Sequence, residues 1–211
     1  MAHYRPLELS DLPEVKTIIA DTFNASSYAP DAPTLARAMD LMWNVIGAES
    51  TFAQVAVIDG KIVGLVIVGI PNARPLVKPV QALIAILKNT ALLLTIHGKH
   101  ARSLIQYLRI LYAYNRLAKR GSFPQAEVKV FAILPQYRGQ GMGSQLFAQA
   151  RTYLANTGHD DMFLYTDNMC TWQFYEKRQM NRITETTIHL NARGLPRDFE
   201  IYVYEGPTNA K

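Results

Sequence analysis

Two periods govern the placing of apolar residues along this chain, one near 3.6 and one of two. Positions 5–9 read as a short strand. Val15, Ile18, Ile19 and Phe23 then recur at helical spacing behind Asp11-Leu12-Pro13-Glu14. That tetrapeptide has the form of a capping box, with Asp11 to cap and Glu14 three residues on. Leu35, Met39, Met42 and Ile46 predict a second helix, which Gly47 would stop. Two β-branched runs, 51–58 and 61–68, flank Asp59-Gly60. An Asp-Gly pair between such runs marks a hairpin, because both turn positions need φ > 0.

The next stretch is helical in pattern, over about 79–96 and 100–120, closed by Gly98 and Gly121. The first of these helices is apolar, but Gln81, Lys88, Asn89 and the threonines interrupt it short of a membrane span. In the second, Leu104, Ile105, Leu108, Leu111 and Tyr112 form the stripe expected to seek the core. Strand patterns follow at 127–134, 162–166, 182–190 and 199–204, with helices at 144–157 and 171–178. This order implies an α+β fold with about seven strands.

Composition narrows the class. Of 211 residues, 49% are hydrophobic and 18% charged, which fits a globular chain. A lone cysteine, Cys170, rules out an internal disulfide, and the N-terminal stretch lacks the apolar core of a signal peptide. A reducing cytoplasm is the expected compartment. The net charge of +5 is uneven: Arg74, Lys78, Lys88, Lys99, Arg102, Arg109, Arg116, Lys119 and Arg120 fall between Ile70 and Ala126, with no Asp or Glu among them. The remainder holds 13 basic against 17 acidic residues. A positive field confined to one segment suits an anionic ligand, an acidic substrate or an acidic membrane better than a nucleic acid.

Chemistry concentrates at Arg138-Gly139-Gln140-Gly141-Met142-Gly143, between a strand and a helix. Amides at a helix start lack partners, the helix dipole adds positive charge there, and glycines let an anion approach. A phosphate or pyrophosphate is the natural ligand; the alternative is a plain tight turn. No Gly-Lys-Ser/Thr is present, and the glycine spacing differs from Gly-x-Gly-x-x-Gly, so neither the nucleotide P-loop nor the dinucleotide fingerprint applies.

Arg138-x-x-Gly141-x-Gly143, behind Val130-Phe131-Ala132-Ile133-Leu134-Pro135, resembles the acyl-CoA-binding motif of the GNAT superfamily of N-acetyltransferases. The run from Asn168 to Lys177, containing Phe174-Tyr175-Glu176-Lys177, is similar to that superfamily's Asn…Tyr-Glu-Lys segment. The resemblance covers roughly 1–70 and 122–205. It departs from the family at Gln179-Met180, where Gly-Phe is usual, at Thr171, and in the inserted segment 72–121.

The resemblance implies one domain over 1–211: a mixed, mostly antiparallel central sheet flanked by helices, with the helical insertion at about 72–121. It implies acetyl or short acyl transfer from acetyl-CoA, as co-substrate, to a primary amine that attacks directly. Main-chain groups near Ile133 and Leu134 would hold the pantetheine arm where two strands splay apart. Arg138, Gly139, Gln140, Gly141, Met142, Gly143 and Ser144 would form the pyrophosphate site. Tyr175 is the implied general acid, since a phenol stays protonated at neutral pH. Asn168 would orient the cofactor or cap the next helix. Glu127 matches a base position of some histone-type members, although strand alternation puts Lys129 on its face, and pairing would make it a poorer base; a water chain or another carboxylate is the rival.

His97 and His100 have no third ligand in view, and no metal is expected. Cys170 lacks a histidine partner and reads as an inert thiol. The insert has three readings: an acceptor site for acidic amines, a basic face against an anionic membrane, or a lid or homodimer surface with solvated charges. The acceptor is a small-molecule or peptide amine. The rival to catalysis is an acyl-CoA-binding module of the same fold without turnover.

Overall fold

The structure is a computed structural model that describes residues 2–27, 29, 31–95, 98–119, 121–191 and 195–209, without the side chains at 27, 89–95, 98–100 and 102–104. In chain order the elements are β1 (His3–Pro6), α1 (Leu12–Thr22), α2 (Ala32–Ala48), β2 (Phe52–Ile58), β3 (Lys61–Gly69), α3 (Pro79–Thr95), α4 (Gly98–Ala118), β4 (Ala126–Ile133), α5 (Met142–Asn156), β5 (Asp161–Asp167), α6 (Gln173–Glu176), β6 (Asn181–His189) and β7 (Asp198–Pro207). The seven strands form one open sheet in the order β1-β2-β3-β4-β5-β7-β6. Every pairing is antiparallel except β4 with β5. The predicted α+β class and strand number are those observed.

The hairpin turns at Asp59 and Gly60 with φ of 50° and 76°, as the Asp-Gly pair required. Strand β3 is apolar almost throughout because helices cover both of its faces. Val66 and Val68 meet Leu146, Phe147, Ala150 and Leu154 of α5. On the other face, Leu65 and Ile67 meet Val15 and Ile19 of α1 and Met39 and Trp43 of α2.

Helix α4 covers the face of β5 and β7 opposite α5. Its Ile110, Ala113 and Leu117 pack with Phe163, Ile201 and Val203. This corrects the stripe expected from sequence: Ile105, Leu108, Leu111 and Tyr112 are exposed, and Leu104 falls outside the described side chains. Apolar residues occupy both sides of α4, so only the docking partner decides which side is buried. Ile110 and Leu117 together contribute on the order of 3–6 kcal/mol at the usual transfer value per buried aliphatic side chain.

Other boundaries shift for local reasons. Strand β1 lies nearer the N-terminus than expected, because Asp11 turns the chain back early. Its carboxylate accepts from Arg5 Nη1 and Nη2 at 2.6 and 2.8 Å and from the Glu8 N–H at 2.8 Å. The Asp11–Glu14 capping box does not form; Glu14 instead accepts from the Ile62 N–H at 2.9 Å, tying α1 to β3. Gly47 does not stop α2, which runs to Ala48. Its missing Cβ makes room for Val77, whose Cγ2 would lie 2.5 Å from one. Gly98 opens α4 rather than closing α3.

Candidate active site

Strands β4 and β5 are neighbours at only three pairs, Ala126 with Met162, Glu127 with Phe163 and Val128 with Leu164. Beyond them β4 stays with β3 as far as Ile133, and β5 with β7 as far as Asp167. The sheet therefore forks, and the inner edge of β4 is left without strand partners. The Leu134 N–H donates to Val63 O at 2.9 Å, so antiparallel alternation turns the main-chain groups of Ile133 into the fork. The Ile133 carbonyl accepts there from Arg138 Nε at 3.0 Å. Leu134, expected to share in holding an arm, is withdrawn from the fork. Its N–H is taken by Val63, and its carbonyl accepts from the Tyr137 N–H at 2.9 Å.

The glycine loop follows a single 3₁₀ turn, Pro135–Tyr137. Gly139 and Gly141 both take positive φ, 78° and 82°. Gly141 is the N-cap of α5, which starts at Met142, two residues before the sequence placed it. The first helical bond is Gln145 N–H to Gly141 O at 3.1 Å. The amides of Met142, Gly143 and Ser144 therefore have no intrahelical acceptor, and the helix dipole adds to their positive potential. Gly143 lies inside the helix, where its value is space: a Cβ would stand 3.3 Å from Phe131 Cζ. Gln140 braces the loop through Nε2 to Gln136 O at 3.3 Å.

Arg178 is a cation at this cradle that the sequence reading missed. Its Nη2 donates to Ser144 Oγ, and its guanidinium lies 3.6 Å from the Phe174 ring centroid. Only its closeness to the Tyr-Glu-Lys run could have drawn notice, because its partner is 34 residues away.

Tyr175 is buried between sheet and helix, with ring centroids of Tyr204, Phe147 and Phe131 at 5.8, 5.9 and 6.4 Å. Burial, then the neighbouring Cys170, Asp167 and Tyr204, raises its phenol pKa well above 10. The group stays protonated across the neutral range. Asn168 does not cap α6, whose N-cap position is Trp172. Its Nδ2 donates to Asp198 O at 2.9 Å, while its buried Oδ1 has no partner among the described residues. Cys170 is an exposed residue whose sulfur is nevertheless desolvated, which pushes the thiol up to about 11.

The opposite side of the fork is roofed by α4. Tyr114 of α4 meets Tyr165 of β5 edge-on at 5.1 Å. Burial and then Glu127 push the Tyr165 phenol up to about 12, and its buried hydroxyl has no partner among the described residues. Both tyrosines escaped the sequence reading. Glu127 stands at the base of the fork, but Lys129 Nζ holds it at 2.6 Å and also reaches Glu49 at 2.9 Å. Burial alone would lower the Lys129 pKa; the two carboxylates reverse that and raise it. Among the described residues no three His, Cys, Asp or Glu side chains converge as a metal site, and His97 lies outside those residues.

The sequence profile of the Acetyltransferase (GNAT) family matches residues 13–180. Comparison with curated proteins finds no match. Among solved structures, an N-acetyltransferase from Staphylococcus aureus Mu50 is 14% identical, with a TM-score of 0.57 over 99% of each chain. The PaiA N-acetyltransferase of Thermoplasma acidophilum in complex with coenzyme A is 12% identical, TM-score 0.51, over 98% of this chain and 99% of the other. A polyamine N-acetyltransferase of Drosophila melanogaster is 16% identical, TM-score 0.56, over 97% of this chain and 99% of the other.

Proposed function

We propose that this chain, which belongs to the acetyltransferase (GNAT) family, moves an acetyl or short acyl group from CoA to the nitrogen of a primary amine by direct attack. The observation that carries this reading is a cradle of free amides at the start of α5 opening beside a fork between β4 and β5. The two features fit the two parts of the donor. A pyrophosphate needs convergent N–H groups and positive potential, which Met142, Gly143 and Ser144 offer with Gly139 and Gln140 beside them. Arg138 and Arg178 add charge at the rim. An extended arm bearing amides needs unpaired main-chain partners; the Ile133 N–H would be one, while its carbonyl is already held by Arg138, and Asn168 would help to orient the arm.

The thioester, when bound, supplies an activated acyl carbon. The Ile133 N–H points into the fork and would stabilise the oxyanion as the amine attacks. Tyr175 would donate its proton to the departing thiolate; its phenol keeps that proton at neutral pH, and because burial makes it a weak acid the transfer follows the charge developing on sulfur. Glu127 would accept the proton from the amine, directly or through water. Cys170 takes no covalent part, because its thiol is held protonated. The acceptor would be a small-molecule or peptide amine: the fold neighbours include enzymes named for agmatine, for polyamines and for the alanine of ribosomal protein S18.

One observation favours the rival reading of a binding module without turnover. Lys129 already holds Glu127 in an ion pair at 2.6 Å, a contact an incoming amine would have to displace to reach the base assigned here. Release of CoA thiol, measured over a panel of amines, separates the two. Catalysis predicts thiol release with at least one amine, and a fall of about a hundredfold or more in kcat for Tyr175→Phe with CoA affinity kept. Unchanged turnover in that variant removes Tyr175 from the mechanism.

A further inference from the structure

Exposed apolar side chains concentrate on α3 and α4. Fourteen large apolar side chains are exposed among the described residues, and ten of them lie between Leu76 and Tyr112. On α3, Val80, Leu83, Ile84 and Leu87 fall at helical spacing on one side, with Leu87 66% exposed. On α4, Ile105, Leu108 and Tyr112 do the same, with Tyr112 69% exposed. Neither helix is free to turn these residues inward. Ile110, Ala113 and Leu117 pin α4 to the sheet, while Val77 and Ala82 hold the start of α3 in buried positions.

Charge selects the occupant. Lys78 and Lys88 bracket the aliphatic run of α3, Arg109 and Arg116 flank Tyr112, and no acidic residue occurs from Ile70 to Ala126. A second copy would bring two surfaces of the same sign together, which opposes self-association here. An anionic bilayer offers both complements at once: acyl chains for the aliphatic stripes and headgroup charge for lysines and arginines that extend past them. Among the described residues no helix is long and apolar enough to cross a membrane, so the contact is with the surface.

We propose that the α3–α4 insertion docks this acetyltransferase on an anionic lipid surface through its exposed aliphatic and basic side chains. The claim stands apart from the identity of the acceptor amine. Sedimentation of the full chain with vesicles tests it. Equal parts phosphatidylcholine and phosphatidylglycerol should bind the protein at least about tenfold more tightly than pure phosphatidylcholine, with binding falling as salt is raised. Removing three basic side chains in K78A/K88A/R116A should weaken that binding by about a hundredfold, at roughly fivefold each. The exposed pair L83S/L87S should weaken it further, and unchanged CoA binding in both variants would show them folded. Equal binding to the two vesicle types, or no binding to either, overturns the proposal. So does light scattering that finds a dimer which L83S/L87S dissolves, because the face would then be a self-interface.

Discussion

Replacing Gly141 by alanine separates backbone conformation from contact, because a Cβ at Gly141 would meet nothing within 4 Å. The whole effect then comes from φ, which is +82° at this N-cap. An L-residue held there costs about 1–2 kcal/mol relative to glycine. That strain can appear in two places. If the loop keeps its shape, stability falls and the thermal midpoint drops by about 2–8 °C for a chain of this size. If the free loop relaxes, ligand binding must restore the shape, and the CoA dissociation constant rises by at most the same free energy, about 5- to 30-fold. Relaxation would sacrifice the Gln145 N–H to Gly141 O bond that starts α5, worth about 1 kcal/mol, so the two outcomes are close in energy and both losses are expected in part. Scanning calorimetry and CoA titration of the same preparation measure their sum. Gly141→Asn should lose less, since asparagine tolerates the left-handed region. An alanine variant with neither a lower midpoint nor a weaker affinity would refute the assigned role of Gly141.

Further outcomes follow from other parts of the structure. Arg178→Ala removes a guanidinium from the mouth of the cradle and should raise the CoA dissociation constant about tenfold, read by calorimetry; unchanged affinity would leave Arg178 with only its Ser144 and Phe174 contacts. Cys170→Ala should retain turnover, and alkylation of Cys170 in the wild type should accelerate with pH toward about 11; fast alkylation near neutrality would contradict a protonated thiol. The Asp11 carboxyl is held below its ordinary 3.8 by the hydrogen bond from Arg5, against burial. Its contribution is therefore present above that unfolded value and lost as pH falls through the lower folded one. Asp11→Ala should cost about 1–3 kcal/mol at neutral pH, with the gap in thermal midpoint closing below about pH 4; a gap that persists in strong acid would sink the assignment.

Local chemistry makes much of this molecule legible in its sequence. Asp59-Gly60 dictated a turn that only φ > 0 satisfies, and the glycine loop announced a helix start with free amides. What stayed hidden depends on partners far away in sequence. Glu14 has the spacing of a capping residue, yet it answers the amide of Ile62, 48 residues on. Both sides of α4 are apolar, so its period could not say that Ile110 and Leu117 go inward while Leu108 and Tyr112 stay out. Whether Ile133 or Leu134 faces the fork depends on the pairing of Leu134 with Val63 across the sheet. The strand pattern of 127–134 alone carries no such phase. Glu127 illustrates the converse: alternation anticipated its pairing with Lys129, and the third member, Glu49, comes from the end of α2.

The amide groups themselves give the most direct test. In a 15N-labelled sample titrated with CoA, the N–H resonances of Gly139 to Ser144 and of Ile133 should move together to saturation. The amide of Leu134, already bonded to Val63, should move least among these neighbours. Saturable binding that leaves the amides of Met142, Gly143 and Ser144 where they began would contradict the cradle, and with it the assignment of this fork as the place of acyl transfer.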